Sequence, residues 1–121
     1  MSEGTLPNVI APEDIVWHKT DLGAKFWISD DLVGGQYSTL FSAQLTMFGP
    51  GGGTPLHHHD YNHAFYFLRG SGCVRIDRRR WDVKPGTLVK VPANSVHGLT
   101  NTGDDDLVFL VIYDPPHVAT D

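Results

Sequence analysis

Apolar, aromatic and β-branched residues recur along the chain in short runs, and each run ends at or beside glycine, proline, asparagine or aspartate. Runs of this kind between turn-forming residues predict β-strands. The predicted strands cover residues 27–29, 39–48, 64–68, 73–77, 87–91, 96–100 and 107–113. Turn residues interrupt every helix-period pattern, so we expect helix at most near residues 12–16. Seven short strands in 121 residues predict an all-β fold, either a sandwich or a small barrel.

The segments between the predicted strands define the organisation of the chain. The glycine-rich segment 49–53 predicts a turn, and the polar, proline-containing ends at residues 1–12 and 115–121 are expected to be loosely held. No internal repeat or linker divides the sequence. We therefore expect a single domain over residues 1–121, with its core at about residues 14–114.

The acidic balance of the chain argues against nucleic-acid and membrane partners. The sequence has 9 Lys and Arg against 14 Asp and Glu, a formal net charge of −5, so phosphate-rich surfaces repel it. Its longest apolar stretches, such as 107–113, are far shorter than the roughly 20 residues that cross a bilayer. Its first residues lack the positive charge of a secretory signal, so we expect a cytoplasmic protein. The single cysteine, Cys73, excludes an internal disulfide and is expected to be a small buried hydrophobe.

A cluster of histidines is the most informative feature, because four of the seven lie within residues 57–63. In an extended chain His57 and His59 point to one side and His58 points to the other. His63 follows after a three-residue step that can return the chain to the same side, where it would be a third metal ligand. A solvated histidine-rich loop is the alternative. An expression tag is disfavoured, because these histidines are internal and precede an apolar strand.

Two sets of residues at regular intervals frame this cluster. The first set is Gly51, His57, His59, His63 and Gly70, and the second is Gly86, Pro92, Asn94, His97 and Asn101. They resemble the two sequence motifs of the cupin superfamily with every interval kept, at residues 51–70 and 86–101. The 15 residues between the motifs match the shortest spacing in small microbial cupins. The resemblance implies a single jelly-roll barrel of two antiparallel sheets.

Two positions depart from the cupin pattern. Asn94 replaces a glycine, which is a mild change because asparagine tolerates left-handed backbone. His63 replaces the glutamate of most metal-binding cupins, so the resemblance implies a four-histidine site of His57, His59, His63 and His97. Imidazole ligands disfavour magnesium and calcium and suit transition metals. We expect one divalent ion per chain, with iron or manganese favoured over copper, nickel, zinc and cobalt; the alternative for His63 is a side chain that faces the cavity without binding metal.

The resemblance also implies an activity. Four protein ligands on an octahedral ion leave two positions for a small organic substrate and dioxygen. Four-histidine cupins include manganese or iron enzymes of oxidative carbon–carbon cleavage, so we expect a dioxygenase acting on a small enolisable or phenolic compound. A non-oxidative isomerase, cyclase or lyase is the first alternative. A non-catalytic small-molecule-binding cupin is the second.

Two further expectations concern proton transfer and assembly. Beyond the metal ligands only Asp60 and Tyr61 are candidates for moving a proton, and a surface turn explains them equally well. Both faces of the predicted strands 64–68 and 107–113 are apolar. One face can fill the barrel, and the other needs a cover. Cupins commonly pair through the outer sheet, so we expect a homodimer.

Overall fold

The alternation of strand-forming runs and turn residues produces nine β-strands and one 3₁₀ turn in a computed structural model that describes residues 8–116. In chain order the strands are β1 (Trp17–Thr20), β2 (Ala24–Ser29), β3 (Ser42–Gly53), β4 (Asn62–Arg69), β5 (Gly72–Ile76), β6 (Arg79–Val83), β7 (Leu88–Val91), β8 (His97–Asn101) and β9 (Leu107–Asp114). The 3₁₀ turn, Pro12–Asp14, lies where the sequence allows helix. The all-β prediction is confirmed, although β1 and β6 are missing from it because their sequences, WHKT and RRWDV, are largely polar.

The strands form two layers that share β3. Residues 42–48 of β3 pair with β9, whereas its last residue, Gly53, pairs with Thr100 of β8. One layer therefore has the order β1-β2-β3-β9-β4-β7 and the other the order β3-β8-β5-β6, with every pair antiparallel. This is the predicted jelly-roll architecture, in which one long strand joins the two sheets into a single hydrogen-bonded network.

The glycine-rich segment 49–53 is a bend inside β3 and not the predicted turn. Gly51 has a φ of +79°, in the left-handed region that favours glycine. At Gly53 a Cβ atom would collide with the carbonyl oxygen of Leu99, so the missing side chain lets β3 approach β8. The glycines thus carry the strand from one layer into the other. Sequence propensity alone does not separate such a bend from a chain reversal.

The core lies between the two layers and consists of aromatic and aliphatic side chains. Its members are Phe48, Phe65, Phe67, Val74, Val83, Val89, Val91, Leu99, Leu107, Phe109 and Val111. On β9 these residues alternate with Val108, Leu110 and Ile112, which are half-buried on the outer face. That outer face is therefore apolar, and homodimer formation through it stays a prediction.

Three smaller expectations have different outcomes. Cys73 is only partly buried, because it alternates with the fully buried Val74 and lies on the opposite face of β5. The predicted loose ends fall partly outside the described residues, at 1–7 and 117–121. Within residues 8–116, no helix is long and apolar enough to span a membrane.

Candidate metal centre

Three histidines meet at one end of the barrel. The imidazole nitrogens of His57, His59 and His97 that can bind a metal all lie within 4.8 Å of one another. His97 begins β8, and His57 lies in the segment that follows β3. Two backbone hydrogen bonds join them, from the His57 N–H to the His97 carbonyl (2.9 Å) and from the His97 N–H to the His57 carbonyl (2.8 Å). The spacing of these two residues is therefore set by the backbone.

Hydrogen bonds also fix the protonation pattern of two of the rings. Nδ1 of His57 lies 2.8 Å from the Pro55 carbonyl, and Nδ1 of His97 lies 2.9 Å from the Ser95 carbonyl. A carbonyl can only accept, so each Nδ1 carries a proton, and in the neutral form of each ring the lone pair is on Nε2. Such a bond to the second nitrogen orients metal-binding histidines in proteins.

The environment of His97 fits a cation. Its Nε2 is buried and has no hydrogen-bond partner within residues 8–116. Burial lowers the pKa of His97 below its usual value, and the bond to Ser95 offsets this only in part. The imidazole is therefore neutral at neutral pH, the form that coordinates a metal. A buried lone pair without a partner and two neighbouring imidazoles together form a donor set that suits a transition-metal ion.

His59 is tied to the second motif through its backbone. The Asn94 N–H donates to the His59 carbonyl at 2.6 Å, and the Ala93 N–H donates to Oδ1 of Asn62 at 2.8 Å. Asn94 has a φ of +71°, so the expectation that asparagine adopts the left-handed conformation at this position is confirmed. The turn before β8 thereby holds the loop that carries His59.

The remaining histidines of the cluster lie in different places. His63 is the second residue of β4 and is 7% exposed. Its ring centroid lies 4.7 Å from that of His97 and 5.4 Å from that of His59. It lies close to His59 and His97 but does not belong to the set whose donor atoms fall within 4.8 Å. His58 is exposed, whereas His57 and His59 are half-buried. The segment itself is a loop with one bridge at His57 and not the extended strand assumed from the sequence.

The histidines open into a cavity of about 350 Å³ inside the barrel. Its walls are mainly apolar and aromatic: Leu22, Phe26, Ile28, Phe48, Pro55, Phe65, Leu99, Phe109 and Val111. Gln44, Thr46, Thr54, Tyr61 and Tyr113 add polar groups. The described residues that line the cavity include no Asp, Glu, Lys or Arg. Apolar walls with a few polar groups are typical of a site for a small organic molecule.

The two proton-transfer candidates differ in position. Asp60 is exposed and does not line the cavity. Tyr61 lines it and stacks on His59, with ring centroids 4.7 Å apart and planes inclined by 11°. Burial, together with the charge of Asp60, raises the pKa of Tyr61, and burial also raises that of Tyr113. Both phenols are therefore protonated at neutral pH and can donate hydrogen bonds.

The sequence analysis does not identify four polar residues of the cavity as site residues: Gln44, Thr46, Thr54 and Tyr113. Tyr113 stacks parallel to His63 with ring centroids 6.1 Å apart, and Gln44 and Thr46 lie on the inner face of β3. The sequence alone indicates that Tyr113 is a core aromatic residue, because it ends an apolar strand. Polar Gln44 and Thr46 alternate with apolar Leu45 and Met47 in the sequence. Such alternation usually indicates that the polar residues lie on the outer, solvent-facing side of the strand.

Comparisons with known sequences connect this geometry to a family. Residues 44–113 match the family model described as a cupin domain. Auxin-binding protein 1 of Arabidopsis thaliana is 32% identical over 83 residues, which make up 61% of this chain and 42% of that protein. The chain therefore spans less than half the length of this curated relative.

Solved structures share the fold. The polyketide cyclase RemF from Streptomyces resistomycificus has a TM-score of 0.79 at 21% identity, over 90% of this chain and 80% of that one. A cupin-2 domain protein from Rhodospirillum rubrum has a TM-score of 0.74 at 25% identity, over 91% of this chain and 75% of that one. Both likenesses extend over nearly all of the chain.

Proposed function

This chain belongs to the cupin domain family, and from that premise we propose that it is a metal-dependent oxygenase of small enolisable or phenolic compounds. The observation that carries the proposal is the meeting of three histidine donors with a mainly apolar, aromatic cavity. The substrate binds in that cavity, and dioxygen is the oxidant. Iron or manganese is the expected ion.

His63 completes a four-histidine set in this proposal. Its burial and its short ring distances to His97 and His59 support the assignment. Four neutral imidazoles leave the full positive charge of a divalent ion at the site. That charge favours an anionic substrate oxygen, such as an enolate, a phenolate or a carboxylate. The charge-free walls of the cavity strengthen this preference, because a low local dielectric screens it less.

The protein side chains bind, orient and protect the substrate. His57, His59 and His97 would hold an ion that would supply positive charge for a substrate oxygen and, as iron or manganese, would allow electron exchange with dioxygen. Phe65 and Phe109 form flat apolar walls that exclude water and position a ring. Tyr61 and Tyr113, protonated beside the histidines, are placed to donate hydrogen bonds to a substrate oxygen.

Proton transfer at this site depends on imidazoles and phenols. No carboxylate lines the cavity among the described residues, whereas histidine and tyrosine both serve as general acids and bases. The second candidate, a non-oxidative cyclase, is favoured by the two phenols, which can act as proton donors without a redox-active metal. The polyketide cyclase RemF has the same fold, so a cyclase is the alternative to the oxygenase that we consider first.

The test compares metals and gases. Protein loaded with iron(II), manganese(II) or zinc(II) is given a panel of catechols, phenols and 1,3-diketones, with oxygen uptake measured at an electrode. With iron or manganese we expect oxygen uptake in proportion to the product formed. We expect no oxygen uptake with zinc and none in His97→Ala. Turnover with zinc and without oxygen uptake would favour the cyclase. Saturable binding without turnover under any metal would favour a small-molecule-binding protein.

A further inference from the structure

Polar side chains line the inner face of β3, inside an otherwise apolar barrel. Ser42, Gln44 and Thr46 alternate along the strand and are each at most 4% exposed. Gln44 and Thr46 line the same cavity as the metal-site histidines. Gln44 is the larger of the two, and its side-chain amide carries both a hydrogen-bond donor and an acceptor.

The orientation of the Gln44 amide is fixed by its surroundings. Its Nε2 donates to the Ser29 carbonyl at 2.7 Å. Because a carbonyl cannot donate, the nitrogen must face Ser29 and the oxygen must face away. Ser29 is itself anchored, since its Oγ accepts from the Leu45 N–H at 2.8 Å and donates to the Asp30 carbonyl at 2.7 Å. A flipped amide would place two carbonyl oxygens in contact.

The acceptor side of the same amide has no partner in the protein. Oε1 of Gln44 is buried and receives no hydrogen bond from any residue in the range 8–116. A buried acceptor without a donor destabilises the fold, because it has lost its bond to water. A ligand that brings a hydroxyl or N–H group to this wall recovers the missing bond.

We propose that Gln44 is a specificity-determining residue whose Oε1 accepts a hydrogen bond from a hydroxyl or N–H group of the substrate. The proposal rests on the proposed function, since it adds a second contact to the same bound molecule. It narrows the substrate class to compounds with two polar ends. One end is an oxygen for the histidine centre, and the other is a hydrogen-bond donor for β3.

The register of the sheet gives the span between these ends. Gln44 pairs with Val111 of β9, which pairs with Phe65 of β4, and His63 lies two residues before Phe65 on the same face. With strands about 4.8 Å apart and residues about 3.4 Å apart along a strand, the Cα atoms of Gln44 and His63 are separated by about 12 Å. Both side chains extend from the same face of the sheet, so a single ring with a polar group at each end can bridge this span. The aromatic walls of the cavity suit the same shape.

The experiment uses zinc-loaded protein, so that binding is measured without turnover. The probes are 2-, 3- and 4-hydroxybenzoate and the three methylbenzoates, in which a methyl group replaces the hydroxyl at nearly equal size. We expect at least one hydroxybenzoate to bind about fivefold more tightly than its methyl counterpart in calorimetry, the value of one net hydrogen bond. In Gln44→Met that preference should vanish. Gln36→Met makes the same change at an exposed position and should keep it.

A second measurement needs no substitution. The chain has only two glutamines, Gln36 and Gln44, so protein labelled with nitrogen-15 in glutamine side chains gives two amide signals. The preferred hydroxybenzoate should shift the Gln44 signal more than its methyl counterpart does and leave Gln36 unchanged. The proposal is overturned if no hydroxybenzoate binds better than its methyl counterpart, if Gln44→Met keeps the preference, or if the Gln44 signal responds equally to both. Absent oxygen uptake with iron and manganese would refute the oxygenase while leaving a Gln44-dependent preference standing.

Discussion

Single hydrogen bonds decide which nitrogen of His57 and of His97 is available to bind a metal. His57 donates from Nδ1 to Pro55, and His97 donates from Nδ1 to Ser95, so in both rings Nε2 is the available atom. His58 stands between two site histidines in sequence but is exposed. His57 and His58 are therefore a matched pair of residues for mutation.

We predict that His57→Ala loses metal and that His58→Ala keeps it. Removing one of three or four ligands is expected to weaken affinity by at least about tenfold, since even groups that only orient a ligand contribute 10–100-fold. Metal content after dialysis against a dilute chelator, measured by elemental analysis, checks this. Equal metal content in the two variants would contradict the assignment of the centre.

Asn94 offers a stability test that is independent of the metal. Its φ of +71° is unfavourable for side chains with a Cβ, and asparagine is the best tolerated of them after glycine. We predict that Asn94→Ala lowers the free energy of unfolding by about 1 kcal/mol and that Asn94→Gly keeps or raises it. The backbone bond to His59 survives in both. Urea unfolding curves measure the difference, and equal losses in both variants would show that the side chain, not the backbone conformation, matters.

Residue-level prediction from the sequence succeeds where spacing alone carries information. His57, His59 and His97 lie together because the intervals that frame them fix two loops that meet at one end of the barrel. Gln44 could not be placed this way. Its strand has apolar residues on the alternate face, so the amphipathic rule points Gln44 outward, whereas a barrel that encloses a cavity has polar groups inside.

Among the elements, β3 determines how the two layers meet. Its residues up to Phe48 belong to the layer of β9, and Gly53 reaches β8. Thr54 continues the contact by donating its N–H to the Leu99 carbonyl at 2.9 Å, which leads directly to the bridge at His57. The metal-binding loop is therefore an extension of the strand pairing between β3 and β8.

We predict that Gly53→Ala destabilises the protein and also weakens metal binding. The added Cβ meets the backbone oxygen of Leu99, which cannot move aside without breaking the pairing to β8. A loss of about 2 kcal/mol is expected from this overpacking. Gly35→Ala is the control, because a Cβ there meets no atom within 4 Å. Thermal unfolding and metal titration of both variants measure the effects, and a Gly53→Ala protein that matched the control would refute the close-approach argument.

The element boundaries show what sequence patterns miss. The hydrophobic runs predict β4, β5, β7, β8 and β9 to within a few residues, because each is bounded by strong turn residues. The hydrophobic runs do not predict the polar strands β1 and β6, since β1 is held mainly by pairing to β2 and β6 by pairing to β5. Val83 is the one buried side chain in these two strands. Tertiary pairing of this kind overrides local propensity.

For the whole molecule, a bound ion is a source of stability. Metal that binds the folded barrel and not the unfolded chain contributes about 2.7 kcal/mol when its concentration is a hundred times its Kd. For a domain of this size we predict a rise in Tm of about 10 °C on saturation with zinc or manganese, reversed by a chelator. Differential scanning calorimetry measures the shift. His57→Ala should show a much smaller response, and an equal shift in that variant would place the stabilising ion elsewhere.

Because β3 is a member of both layers, neither layer can separate while the other stays folded. Parting them would require breaking the pairing of β3 with β9 or with β8, and each of these pairings holds part of the core. Amide protons of β3, β8 and β9 should therefore exchange with solvent as one cooperative unit, at a free energy near that of global unfolding. A substrate cannot enter by a hinge between the sheets. Entry would instead pass the loops that line the cavity, which include Leu22, Pro55 and Tyr61.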